Sequence, residues 1–199
     1  MNAKRIRQAL EVRYRLPLWA SFRELRAGSG YGKRSEQRID LWTINTQPHQ
    51  HLKRIAFEIK VSRADFLHEL EQPLKRRGAL ILSNQYYFVT PVGLVKPSEL
   101  PIECGLIEIA ETGFKKTPEG GGWFYYGFAR SPWWYREVVD APVRESVLPT
   151  WRFVASLARR MIKIEQETQD DSTDTQEIHA ERDGSDAAVP ASGLALPQV

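Results

Sequence analysis

The chain has 199 residues, of which 42% are hydrophobic and 27% charged, enough for one packed domain or slightly more. No apolar run approaches the roughly 18 residues of a membrane span, and the basic start (Lys4, Arg5, Arg7) leads into no signal-peptide core, so no membrane partner is expected. The lone Cys104 excludes an internal disulfide framework and a multi-cysteine zinc site, and it fits a reducing, cytoplasmic setting. The net charge of +3 hides an asymmetry: from Glu165 onward nine acids face Arg182 alone. The total of 28 Lys+Arg and 25 Asp+Glu then leaves the body at about +11 and the tail at about −8. A body that basic points to a polyanionic partner such as nucleic acid, or to a merely well-charged surface.

In chain order, residues 2–14 read as a helix, with Ile6, Ala9, Leu10 and Arg13 at helical spacing and Asn2 as N-cap. Residues 18–26 read as a strand, and Ala27 to Gln37 as a flexible polar stretch around Gly28, Gly30 and Gly32. RIDLWTI (38–44) and RIAFEIKVS (54–62) are strands rich in β-branched and aromatic residues, joined by a polar loop. Ser62 with Asp65 resembles a capping box, and Phe66, Leu67 and Leu70 give the following helix its apolar stripe. Pro73 ends or kinks that helix, or starts a second through Leu74 to Arg77. QYYFVTP (85–91) and GLIEIA (105–110) are strands, with a loop from Pro97 to Cys104 between them. The aromatic-rich segment 117–135 contains a strand candidate at 123–129. Thr150 to Glu167 reads as a last helix with Phe153, Leu157, Met161 and Ile164 on one stripe. The division is a domain over 1–167, with a core over about 2–110 and an aromatic-rich extension over 111–167, and a disordered acidic tail over 168–199 that cannot bury enough apolar surface to fold.

The chemistry concentrates in Asp40 of the second strand and in Glu58 and Lys60 of the third. Residues two apart in a strand share a face, so Glu58 and Lys60 point one way while Phe57, Ile59 and Val61 enter the opposite packing layer. Charges embedded in an apolar strand need partners or a metal. Hairpin-like pairing lets Asp40 and Glu58 approach each other, and a divalent cation resolves the repulsion. Both carboxylates and the carbonyl of Ile59 suit Mg²⁺, which acidifies a bound water and neutralises charge on a phosphodiester, and Lys60 assists. The plain alternative is a surface Glu–Lys pair with Asp40 unrelated.

This order of helix, strand, strand with Asp, strand with Glu-x-Lys and helix resembles the PD-(D/E)XK nuclease superfamily over roughly residues 2–110, with Ile39 where the family name has proline. The resemblance implies an α/β restriction-endonuclease-like core, a central mixed sheet flanked by helices in the order αβββαβ. It implies Asp40 and Glu58 as ligands of Mg²⁺ or Mn²⁺, with Lys60 as the catalytic lysine. Many members add a glutamate on the first helix that helps hold metal; Glu11 fits by position, and Glu24 is the competing acid. The Gly- and Lys-containing loop before Asp40 is similar to that of archaeal-type Holliday-junction resolvases, whose need for two active sites implies a homodimer. Glu-Ile-Lys followed by serine, Asp65-Phe66, the strand YYFVTP and the segment PIECGLIE (101–108) resemble the MmcB-like DNA-repair proteins.

The activity so implied is metal-dependent hydrolysis of DNA, endo- or exonucleolytic, in repair or recombination. A non-catalytic nucleic-acid-binding or assembly module on the same fold is the alternative. Arg23, Arg26, Lys33, Arg34 and Arg38 around the loop, and Lys75, Arg76 and Arg77 after the helix, suit phosphate contacts, which give affinity without sequence choice. Trp123 to Tyr135 supply aromatics for stacking on bases or for a core wall or dimer interface. There is no phosphate-binding Gly-x-x-x-x-Gly-Lys loop and no dinucleotide fingerprint, which disfavours ATP- and NAD-driven chemistry.

Overall fold

The computed structural model describes residues 1–26, 38–111 and 133–163. The chain divides into two units, Met1–Arg160 and Met161–Val199. Of the second, residues 161–163 are described and are helical. Lys33 and Arg34, the strand expected at 123–129, Ile164 and the acidic tail lie outside the described residues.

The first unit begins with helix α1 (Ala3–Arg13). Asn2 caps it, its Oδ1 accepting from the Arg5 N–H at 2.9 Å, an interaction worth about 1 kcal/mol. Ile6 and Leu10, one turn apart, are fully buried, and each contributes roughly 1.5–3 kcal/mol of burial. Strands β1 (Trp19–Arg26), β2 (Arg38–Asn45) and β3 (Arg54–Ile59) follow as an antiparallel meander. Helix α2 (Arg63–Leu70), a 3-10 turn (Pro73–Arg76) and helix α3 (Arg77–Leu82) form the crossover to β4 (Gln85–Pro91). A crossover is needed because β4 runs parallel to β3. Residues 92–104 then connect β4 to the parallel β5 (Gly105–Ala110), and β6 (Trp134–Val139) adds antiparallel to β5. The six strands lie in sequence order in one mixed sheet.

Each face of the sheet has its own core. On one, Ile6, Leu10 and Tyr14 pack on Leu41, Phe57, Ile59, Val89 and Ile107. On the other, Phe66 and Ala79 pack on Ala56, Tyr86, Phe88 and Leu106, and Phe153 covers Trp42. The observed layers are therefore α/β, a mixed sheet flanked by helices. Among the described residues no helix is long and apolar enough to cross a membrane.

Several expectations need correcting. Of the stripe expected on α2, Phe66 is buried and Leu70 packs against the same core, but Leu67 is 43% exposed and Glu69 is buried beside Phe66. Six-residue α3 and strand β6 were not foreseen as elements. Strand β3 stops at Ile59, and Val61 is exposed instead of entering a packing layer. In the C-terminal stripe Phe153 is buried and Leu157 packs beside it, while Met161 is 51% exposed. Tyr135 takes a core position, with Trp133 packed against the same cluster.

Candidate active site

Antiparallel pairing of Leu41 with Phe57 makes Asp40 and Glu58 the next residues along the β2–β3 ladder. Asp40 Oδ2 accepts the Ile59 N–H at 2.8 Å, which fixes the carboxylate at the end of the strand pair. Glu58 shares its face with Ala56, toward α2, and lines an open cleft of about 740 Å³ with Glu69, Lys75, Arg76, Tyr86 and Arg38. Lys60, just past the end of β3, stays in the sheet through its N–H to the Val89 carbonyl at 3.0 Å. Its ammonium returns to the same face, 2.7 Å from Glu58 Oε1 and 3.1 Å from Glu69 Oε2.

The electrostatics follow from burial. Burial and then the neighbouring Asp40 push the Glu58 carboxyl up to about 7 despite Lys60. Burial also raises Asp40, against the pull of the Ile59 N–H, Lys60 and Arg7, and Glu24 adds to the rise. Lys60 is lowered by burial, but Glu58 and Glu69 outweigh this and leave it raised and charged. Asp40 and Glu58 thus repel each other in a largely buried setting, and Lys60 offsets part of that repulsion.

Glu24 stands where the strands deviate. The β1–β2 ladder pairs Arg23 with Leu41 and Leu25 with Ile39, leaving Glu24 and Asp40 between these pairs. Phe22 and Leu25 face the same core, as do Ile39 and Trp42. Three-residue spacings on one face mean that the in/out alternation breaks in both strands here, while their pairing register stays constant. Glu24 takes φ +47°, a left-handed backbone that a non-glycine residue adopts at a cost. Its carboxylate lies 3.5 Å from Arg7 and 3.8 Å from Arg38. Glu11 is bound to Arg23 by a two-pronged ion pair.

The basic residues divide. Arg38 and Lys75 line the cleft, and Arg23, Arg26 and Arg77 are exposed. Arg76 is different from expectation: its side chain is 4% exposed, and it donates to the Glu69 carbonyl and pairs with Glu103 at 3.3 Å. It braces the cleft floor, so the expected phosphate contact is corrected to a structural one. Cys104 is buried, with its thiol pushed up to about 12 by burial and then by Glu103, which suits a core residue.

The sequence reading missed Glu69. It lies three residues after Phe66, on the same helical face, and is 4% exposed. That spacing was a usable signal.

The donor set fits a hard divalent cation. Asp40, Glu58 and the Ile59 carbonyl are oxygen donors, and the raised carboxyls show charge in need of neutralising. Among the described residues no cluster of three or more His, Cys, Asp or Glu side chains converges.

No family model matches the chain. No curated protein matches it either. A solved structure, the SPO1766 protein of unknown function from Silicibacter pomeroyi, is similar at 16% identity and a TM-score of 0.54 over 85% of this chain and 90% of that one. The likeness concerns the fold alone.

Proposed function

We propose that this chain is a metal-dependent deoxyribonuclease on a restriction-endonuclease-like core, hydrolysing phosphodiester bonds during DNA repair or recombination. The observation that carries the reading is the meeting of Asp40, Glu58 and Lys60 at the end of the β2–β3 ladder, with Glu58 lining the cleft and raised to about 7 by burial and then by Asp40. A helix, a three-stranded antiparallel meander, a helical crossover and a parallel strand is also the order that the motif resemblance implies.

Asp40, Glu58 and the Ile59 carbonyl would hold Mg²⁺ or Mn²⁺, which when bound would supply charge neutralisation at the phosphodiester and acidify a water. Lys60 keeps a positive charge at the cleft, where it stabilises negative charge developing on the phosphoryl oxygens. Asp40 is oriented by the Ile59 N–H, so its carboxylate needs little reorganisation. Arg38 and Lys75 at the cleft, with Arg23, Arg26 and Arg77 beyond it, bind backbone phosphates without reading bases.

The test is cleavage of labelled duplex, nicked, flap, junction and single-stranded DNA with Mg²⁺ or Mn²⁺. Wild type is compared with Lys60→Ala and Asp40→Asn. Metal-dependent cutting lost in both variants is expected. Salt-sensitive binding by all three proteins without cutting would replace the nuclease with a nucleic-acid-binding module.

A further inference from the structure

We propose that Glu69 is a positioning residue that holds the Lys60 ammonium at the cleft while Glu58 is engaged with the cation; this rests on the nuclease reading. Lys60 has two anionic partners, Glu58 Oε1 at 2.7 Å and Glu69 Oε2 at 3.1 Å. The same reading assigns Glu58 to the metal. A carboxylate shared with a divalent cation attracts an ammonium less strongly. Glu69 then remains as the anchor of a flexible four-carbon side chain.

Glu69 is built for this. Its side chain is 5% exposed, and its second lysine contact, Lys75, stands 3.6 Å away. Its backbone is fixed from two sides. Phe66, one turn earlier, is fully buried edge-to-face on Phe88 at 5.2 Å between ring centres. Arg76 donates to the Glu69 carbonyl at 3.1 Å. A buried ion pair adds little net stability compared with apolar packing, so stability alone is a poor reason for an acid on this face of α2.

The test combines Glu69→Gln, Lys60→Ala and the double variant with three readouts: cleavage kinetics, acylation of individual lysines by an amine-reactive reagent read by mass spectrometry, and thermal melting. Glu69→Gln is expected to lower kcat at least tenfold with KM for DNA unchanged, and to raise Lys60 acylation severalfold. In the Lys60→Ala background, Glu69→Gln has no further effect on the residual rate. Additive loss in that background, or unchanged Lys60 acylation with a lowered melting point, would overturn the inference and leave Glu69 a structural residue. If wild type cuts no DNA, the nuclease reading falls, and Lys60 acylation alone decides whether Glu69 positions the lysine. If Glu69→Gln does not fold, Glu69→Asp keeps the charge with a shorter reach: raised Lys60 acylation supports the inference, and unchanged acylation overturns it.

Discussion

Asp40 accepts a hydrogen bond from the backbone N–H of Ile59, and that bond sets its carboxylate beside Glu58 at the end of the β2–β3 ladder. Burial, and then Asp40, push the Glu58 carboxyl up to about 7, whereas in the unfolded chain it titrates near the ordinary carboxylate value. Between roughly pH 4.5 and 7 the folded state therefore binds more protons than the unfolded one, and stability falls as pH rises. In metal-free buffer the melting temperature is expected to fall across this window more steeply for wild type than for Glu58→Gln. Equal slopes for the two proteins would contradict the placement of a raised carboxyl at Glu58.

Asparagine at position 40 can keep the acceptor for the Ile59 N–H while removing the charge. Asp40→Asn is therefore expected to fold normally and to lower the Glu58 titration midpoint. A side-chain carboxyl NMR titration reads this directly. An unmoved midpoint would mean that burial alone, without Asp40, sets the Glu58 value.

Glu24 offers a separation of charge from backbone strain. Both Glu24→Asn and Glu24→Val remove its charge, but asparagine tolerates the left-handed backbone at φ +47° and β-branched valine does not. Glu24→Val is expected to be about 1–2 kcal/mol less stable than Glu24→Asn in urea unfolding. Equal stability would show that the strands beside Asp40 relax freely.

Gly105 pairs with Tyr87 between β4 and β5, and a Cβ there would run into the Tyr87 ring and stand 2.6 Å from the Ala141 nitrogen. Gly105→Ala is expected to lose about 1–3 kcal/mol of stability. Tyr87 belongs to the α1 face of the sheet, away from the cleft lined by Tyr86, so metal-dependent cleavage per folded molecule should be unchanged. A selective loss of cleavage would link the two faces in a way that the packing does not provide.

Strong local signals carried most of the fold. Strands β4 and β5 have the bounds that their apolar runs predict, and Asn2 and Ser62 cap the helices that follow them. What escaped depends on distant partners. Six-residue α3 is too short for a helical period to emerge, and β6 is defined by its pairing with β5. Arg76 looks like one of three adjacent surface cations until Glu103 and the Glu69 carbonyl draw it inside. Asp40, Glu58 and Lys60 were legible because charge in apolar strands is conspicuous. Glu69 was hidden because acids on helices are common, and helical periodicity scored by hydrophobicity alone chose Leu67, which is exposed.

The central claim is that Asp40 and Glu58 together hold a divalent cation, and a Mn²⁺ titration of the DNA-free protein, followed by electron paramagnetic resonance, tests it most directly. The account predicts a bound ion that Mg²⁺ displaces and whose affinity falls at least tenfold in both Asp40→Asn and Glu58→Gln. Mn²⁺ binding unchanged in both variants, or no binding by folded wild type, would contradict it.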